Sequence, residues 1–451
     1  MTPRLDRLIV VGLLVALVCT ALAFGGVEPW AVALFELLVV GLAALWVIRT
    51  IVGGRVELAI PAVVLPIAGL VLWIAIQGIS FSDASGNSRS ISLDPEASRN
   101  AVTVMLFLLI FFLLSSTFLA TRERIEMLAR FLIIYGAALA MFALIQSMTW
   151  NGAYYWIRQA TTHGFGPFAN RDHFAGYMEM LAPIPVALLI AGAVPRDLRL
   201  LVGFAAAIMG TAIVASLSRG GILSFVMGLL FTVVAVPSRP GAKNQRALRL
   251  AAAGSIVVAV VIGTLWIGAA PIVNRAAETF KEAQSEPDYY SRGWLWRDTW
   301  AMVRQHPLTG VGAGAFETVF PAYSHASGQY IVAQSHNDYL QLLADCGIVG
   351  AALGVIFLLL LYKVVKRALN ASDRLQAGMA VGCGGGIFAL LVHSLFDFNL
   401  QIPSNALLFL FLVAVVWSVA RVATQATGPG IGSRALAFAE PASRAAEGVS
   451  L

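Results

Sequence analysis

Two arginines stand out in this sequence as candidates for function because of where they lie. Arg219 follows Ser218 and interrupts an apolar hairpin over residues 213–230, and Arg292 precedes a segment rich in tryptophan. A guanidinium group binds phosphate oxygens through two parallel charge-assisted hydrogen bonds. A charged side chain at the rim of a membrane is a candidate for function. The alternative for Arg219 is an arginine that reaches lipid head groups from a helix end.

His336 is the candidate general base. Ser335 is expected to cap a helix that begins here, which places His336 in the first turn near the positive end of the helix dipole. That position disfavours imidazolium, and a neutral ring can accept a proton from a hydroxyl group. The alternative is a histidine that is hydrogen-bonded inside the loop, and Asp338 either orients His336 or only solvates the helix start. His306 and His325 are interpreted as turn residues.

Two further segments surround these residues. Trp294–Arg304 predicts an amphipathic helix whose three tryptophans favour the membrane interface, where its arginines can face lipid phosphate. Gly310-x-Gly312-x-Gly314 is either a flexible turn or a backbone nest for a phosphate, and it lacks the Lys-Ser/Thr of a P-loop. The sequence has no CxxC or HExxH motif, so no metal site is predicted.

Membrane helices must position all of these residues. Hydrophobic residues make up 59% of the 451 and charged residues 12%, about half the charged share of a soluble domain. A helix crosses a bilayer with about 20 apolar residues. Twelve runs approach this length: Leu8–Phe24, Ala31–Ile51, Ala59–Ser80, Ala101–Ala120, Ala129–Met148, Phe174–Val194, Leu198–Leu217, Gly221–Pro237, Leu250–Ala270, Gly347–Tyr362, Ala377–Leu395 and Ser404–Ala420. The first run also resembles a signal peptide, but the spans that follow favour an uncleaved anchor.

The predicted fold is therefore an all-α polytopic membrane protein with about 12 transmembrane helices and one large periplasmic loop between spans 9 and 10. Four segments follow from it: a membrane domain at 1–270 with spans 1–9, the catalytic loop at 271–345, a membrane domain at 346–424 with spans 10–12, and a disordered cytoplasmic tail at 425–451.

Charge predicts the orientation of these spans. With the N terminus in the cytoplasm, the cytoplasmic loops and span ends hold 20 of the 30 Lys and Arg residues, and the opposite side holds the other 10. Because Lys and Arg concentrate on the cytoplasmic side, the large loop faces outward. The net charge of +6 is thus a signal of topology, and no nucleic-acid partner is predicted.

Several motifs, taken in order, resemble the O-antigen ligase / O-antigen (exopolysaccharide) polymerase superfamily. They are Phe165-Gly166-Pro167-Phe168-Ala169-Asn170-Arg171-Asp172-His173-Phe174-Ala175, Ser218-Arg219-Gly220-Gly221, Arg292 before the tryptophan-rich helix, His306-Pro307-Leu308-Thr309-Gly310-Val311-Gly312, and His336-Asn337-Asp338-Tyr339-Leu340-Gln341-Leu342-Leu343 through Gly347 and Gly350. Their order and spacing together carry the resemblance, which covers most of the chain.

The resemblance implies roles for single residues. The two essential outward arginines of the family correspond to Arg219 and Arg292, and its essential loop histidine corresponds to His336. Asp345 stands where the family often has glutamate. Further candidates for substrate binding are Asn170, Asn337, Asp338, Gly312 and Gly314.

The resemblance also implies a function: a glycosyltransferase of the bacterial inner membrane with its active site facing the periplasm. It would move an undecaprenyl-diphosphate-linked glycan to a hydroxyl of lipid A core, or of a growing glycan if the protein is a polymerase. Membrane lipids surround it, and neither a cofactor nor a metal is expected. From a different class, twelve spans also suit a flippase or transporter of lipid-linked oligosaccharide, although the spans show no clear internal repeat.

Overall fold

The structure, a computed structural model, describes residues 2–82, 88–160, 164–236, 254, 257–258, 260–262, 292–325 and 331–427. Most of these residues are helical. The helices are α1 (Thr2–Leu22), α2 (Pro29–Gly53), α3 (Val64–Gln77), α4 (Pro95–Phe118), α5 (Arg122–Met148), α6 (Arg171–Leu181), α7 (Pro183–Ile190), α8 (Arg199–Ala215), α9 (Arg219–Ala235), α10 (Arg292–Gln305), α11 (Phe316–Val319), α12 (Asp338–Ala368), α13 (Arg374–His393) and α14 (Pro403–Thr427). Two small antiparallel hairpins, which the sequence did not predict, pair β1 (Ser80–Ser82) with β2 (Ser88–Ser90) and β3 (Ala153–Tyr154) with β4 (Arg158–Gln159).

The helices confirm an all-α polytopic membrane protein. Within the described residues, nine helical stretches are long and apolar enough to cross a membrane, and α3 and α9 are shorter apolar helices. These eleven elements coincide with eleven of the predicted runs. The remaining run, Leu250–Ala270, lies outside the described residues except for 254, 257–258 and 260–262. The number of twelve spans therefore stays a prediction.

Four helices form the interior of the bundle. The consecutive helices α6 and α7, together with α13 and α14, bury most of their side chains, whereas α2 and the membrane part of α12 expose most of theirs. Small residues allow this close packing, because α13 presents glycines to α6 and α7. A Cβ at Gly382 would lie 2.6 Å from Ile184 Cα, and one at Gly386 would overlap the carbonyl of Met180.

Ion pairs join the loops of one face. Arg49 at the end of α2 binds Asp6 of α1 at 3.1 Å and Glu57 of the next loop at 2.5 Å. On the same face, Arg122 of α5 binds Asp373, which precedes α13, at 3.1 Å. These are loops that the charge bias assigns to the cytoplasm, and the candidate site lies at the other ends of the helices.

The described part of the predicted outward loop has its own small hydrophobic core, formed by Met302, Val303, Val311, Ala315, Phe316, Phe320 and Ala344. This core rests on α3 and α4, because Gln77 Nε2 donates to the carbonyls of Thr309 and Asp345, and Thr318 donates to Asp94. Within α12 the backbone breaks at Gly347 (φ 62°, ψ −159°). Residues 338–346 therefore belong to the outward part, and the membrane span begins after the break.

The predicted C-terminal tail needs a small correction. Helix α14 continues to Thr427, three residues beyond the predicted tail boundary, because the sequence there still consists of helix-forming residues. The rest of the predicted tail, residues 428–451, lies outside the described residues.

Candidate functional site

His336 is held by a buried carboxylate from a distant part of the sequence. Its Nδ1 lies 3.0 Å from Oδ1 of Asp397, in the loop between α13 and α14, and the Asp397 side chain is fully buried. The edge of the His336 ring meets Phe398 at 4.7 Å between centroids. The imidazole is about one-third exposed, so a substrate can reach it.

The predicted helix start at His336 is wrong by two residues. Asn337 is the N-cap of α12, and its Oδ1 accepts from the N–H groups of Tyr339 and Leu340. Ser335 instead donates its hydroxyl to the carbonyl of Asn337. His336 precedes the helix in a left-handed conformation, with φ +50°. The Oδ1 of Asn337 accepts from two N–H groups at once, whereas the hydroxyl of Ser335 is engaged by the carbonyl of Asn337.

Asp397 is ionised in this arrangement. Burial by itself raises the pKa of Asp397, but the hydrogen bond from His336 and the interactions with His173 and His393 outweigh it, so the pKa lies below its ordinary value. An ionised carboxylate accepts the Nδ1 proton of His336. In the neutral ring, Nε2 then carries the free lone pair that a general base needs.

Asp338 neither hydrogen-bonds to His336 nor faces solvent at the helix start, which are the two roles expected from the sequence. It is buried, and its Oδ2 accepts from the hydroxyl of Ser394 at 2.7 Å and from the N–H of Leu400 at 3.1 Å. Its own N–H donates to the carbonyl of Ser394. Asp338 therefore fastens the start of α12 to the loop that carries Asp397, and it acts on His336 only through that loop.

Arg219 lies beside the same loop. It is exposed at the first position of α9, whose N-cap Ser218 accepts from the N–H of Gly221 at 3.1 Å. The next residue, Gly220, packs on the imidazole of His393 at the end of α13, and a Cβ there would lie 2.8 Å from Nε2. The carbonyl of His393 accepts from the N–H of Asp397. Arg219 is therefore linked to the turn that carries Asp397 through its neighbour Gly220 and through His393.

The helix that carries Arg292 contacts the segment before His336. Arg292 is the first residue of α10, which begins two residues before the predicted start. One turn later, the indole N–H of Trp296 donates to the carbonyl of Ser335 at 3.0 Å, next to His336. Arg219 therefore lies next to a residue that contacts His393, and Arg292 lies on a helix that contacts the residue before His336.

His173 is a neighbour that the sequence did not single out. Its ring meets Phe398 at 4.7 Å, as the ring of His336 does, so the two imidazoles flank one phenyl group. The candidate Asn170 is the N-cap of α6 and accepts from the N–H of Asp172 at 2.8 Å. Its Nδ2 lies 3.4 Å from Nε2 of His173. Asn170 therefore supports the inner wall of the site.

The glycine run forms an ordered turn. Gly310, Gly312 and Gly314 all have positive φ, and a Cβ at Gly312 would overlap the hydroxyl of Ser92. The N–H groups from 310 to 313 donate to His306 O, Ala344 O, Asp345 O and Gln77 Oε1, in that order. The N–H of Gly314 bonds to the Asp345 carboxylate. These contacts favour the turn over the phosphate nest, and substrate binding by Gly312 and Gly314 stays a prediction.

The Gly314 contact also gives Asp345 a role. Its carboxylate accepts from Gln341 Nε2 at 3.0 and 3.1 Å as well as from the glycine run, so it fastens that turn to α12. Among the residues that the structure describes, no group of three or more His, Cys, Asp or Glu side chains could hold a metal ion.

Comparison with known proteins identifies a family that part of the chain matches. Residues 204–363 match the family model described as O-antigen ligase, which confirms the resemblance to that superfamily. The matched region contains Arg219, Arg292 and His336, and it ends before Asp397. No curated protein matches the chain.

Proposed function

We propose that the protein is an O-antigen ligase-like glycosyltransferase. The match of residues 204–363 to the O-antigen ligase family model, whose members are ligases or polymerases, supports this proposal. The protein moves a glycan from undecaprenyl diphosphate to an acceptor hydroxyl at the outward face of the bacterial inner membrane. The observation that carries this proposal is the 3.0 Å contact between Nδ1 of His336 and the buried carboxylate of Asp397. It leaves an imidazole that is about one-third exposed, with Nε2 available for proton transfer.

The proposed reaction is a single displacement. Nε2 of His336 accepts the proton of the acceptor hydroxyl as the oxygen attacks C1 of the donor sugar. The C1–O bond to the diphosphate breaks, and its electron pair leaves on the diphosphate oxygen. Arg219 and Arg292 bind the developing charge on the leaving group with charge-assisted hydrogen bonds. Attack opposite the leaving group inverts the configuration at C1.

Purified protein in detergent tests this proposal. With lipid-linked glycan as the donor, His336→Ala should lower kcat by about 100-fold or more, as expected for the loss of a general base. Arg219→Ala and Arg292→Ala should lower kcat/KM by a similar factor, because each loses a charge-assisted contact to the diphosphate. Arg158→Ala is the matched control: Arg158 belongs to the same outward set but pairs with Glu28 at 2.8 Å.

The outcomes separate the classes of protein. Wild-type rates in folded His336→Ala, Arg219→Ala and Arg292→Ala would rule out these roles. A flippase forms no glycosidic product in detergent, where the two sides of a membrane do not exist. Offering lipid A core and a second lipid-linked glycan as separate acceptors decides between ligase and polymerase, and repeating the assay in EDTA tests the expected independence from metal ions.

A further inference from the structure

A buried acid–histidine pair lies behind the candidate site. Nδ1 of His393, the last residue of α13, is 3.1 Å from Oε1 of Glu179 in α6, and both side chains are almost fully inaccessible. Ionisable groups inside membrane helices are costly and are retained for function in most cases. The proposed reaction gives neither residue a direct role, because neither can touch a substrate.

The packing of α13 brings this pair together. Gly386 lies against the carbonyl of Met180, one residue after Glu179, with no space for a Cβ. Because of this close approach, the carboxylate of Glu179 lies level with the side chain of His393, which follows Gly386 by two turns of α13. With Nδ1 engaged by Glu179, the opposite edge of the imidazole faces away from α6.

That opposite edge supports the start of α9. A Cβ at Gly220 would lie 2.8 Å from Nε2 and 2.9 Å from Cδ2 of His393, so only glycine fits against the ring. The neighbour of Gly220 is Arg219, which sits at the first position of the helix. A change in the position of the His393 ring would therefore move the backbone that carries Arg219.

The backbone of His393 supports the other half of the site. Its carbonyl accepts from the N–H of Phe396 at 2.8 Å and from the N–H of Asp397 at 3.0 Å. These bonds form the turn that points Asp397 at His336. Within the described residues, His393 therefore contacts both parts of the site. Its side chain packs against the Arg219 segment, and its carbonyl binds the turn that carries Asp397.

We infer that His393, oriented by Glu179, is a positioning residue that fixes the distance between the diphosphate-binding Arg219 and the Asp397–His336 pair. This inference rests on the proposed function. Its physical basis is the steep dependence of transfer rates on geometry, since a misplacement of about 1 Å costs up to about 100-fold in rate.

Two substitutions and their combination test the inference through the donor KM. Gly220→Ala forces a methyl group against the His393 ring and should raise the donor KM by about 10-fold, because Arg219 moves. His393→Asn keeps an amide near the Nδ1 position for Glu179 but removes the edge that supports Gly220, so it should also raise the donor KM. In Gly220→Ala/His393→Asn the methyl group has space, and the donor KM should equal that of His393→Asn alone.

The control is Gly203→Ala in α8, where an added Cβ meets nothing within 4 Å, and it should keep the wild-type KM. A structural role alone would reduce the yield of folded protein and leave the KM of that protein unchanged. If Gly220→Ala does not yield monodisperse protein, His393→Asn carries the test, since it removes atoms and adds none.

Donor KM values within about twofold of wild type in Gly220→Ala and His393→Asn would overturn the inference. The inference would also be overturned if the fold increase in donor KM of the double variant equalled the product of the two single increases. The two residues would then act independently. His336→Ala in the same assay separates this failure from failure of the proposed function. If His336→Ala is active, the proposed function is refuted. If His336→Ala is inactive but the His393 and Gly220 variants keep the wild-type donor KM, only the positioning role is refuted.

Discussion

Asp397 determines what His336 can do, although 61 positions separate them in the sequence. We expect Asp397→Asn to lower kcat by about 100-fold or more and to leave the donor KM within about threefold, since the uncharged amide no longer favours the Nδ1–H tautomer or stabilises the imidazolium. Initial rates at saturating acceptor and varied donor concentrations measure both constants.

A second acid–histidine pair supplies the control for this prediction. Asp298 of α10 is buried and binds Nδ1 of the exposed His325 at 2.8 Å. Asp298→Asn removes the same kind of contact outside the site and should keep kcat close to wild type. Equal losses in Asp397→Asn and Asp298→Asn would show that the effect of Asp397 comes from general damage to the outward segment.

At this scale the sequence predicts charged residues better than their partners. Arg219, Arg292 and His336 could be chosen because their chemistry and place in the predicted topology are visible locally. Asp397, His173 and Phe398 meet His336 only through the packing of α6 and α13 against the loop before α14. No local pattern reports such contacts, and the same holds for the contacts of Asp338 with Ser394 and Leu400.

At the scale of elements, the N-terminus of α9 positions Arg219. Ser218 caps this helix and is fully buried, while Thr121 caps α5 on the opposite face with the same type of bond. Ser218→Ala and Thr121→Ala should each cost about 1 kcal/mol of stability. Only Ser218→Ala should also raise the donor KM, because the first turn of α9 carries Arg219. Thermal unfolding and donor titration of both variants measure this, and equal KM values in the two would contradict it.

The glycine turn is a second element whose role can be separated from substrate binding. Gly312 has φ +109° and packs on Ser92, whereas Gly152 has φ +87° and open space around it. Alanine at either position costs about 1–2 kcal/mol of backbone strain. Gly312→Ala adds a steric overlap, so it should lower the melting temperature clearly more than Gly152→Ala, with an unchanged donor KM. A raised KM at an unchanged melting temperature would instead support the phosphate nest.

Elements were predictable where they are long and periodic. Apolar runs predicted every helix of the described bundle that could cross a membrane, because the bilayer imposes one length and one composition. The break at Gly347 depends on a close approach to Leu308, which is a tertiary contact. The cap at Asn337 is a local contact to the N–H groups of Tyr339 and Leu340, but nearby Ser335 is an equally good capping residue by sequence. The short hairpins escaped prediction because two or three paired residues leave no alternating pattern.

At the scale of the whole molecule, two sets of loops lie at opposite ends of the bundle. Contacts join Asp6, Arg49 and Glu57 on one face, and His336, Asp397 and the start of α10 on the other. Because Lys and Arg remain on the cytoplasmic side during insertion, the first face is expected inside the cell and the site outside it.

Labelling of single cysteines tests this orientation. Ile157, between β3 and β4, is 85% exposed, and the Arg55 side chain on the opposite face is 74% exposed. With Cys19 replaced by alanine, the remaining native cysteines, Cys346 and Cys383, are buried and give little background. A membrane-impermeant maleimide should then label Ile157→Cys in intact spheroplasts and label Arg55→Cys only after permeabilisation. The reverse pattern would place His336 and both arginines in the cytoplasm, where a donor presented at the outer surface of the membrane could not reach them.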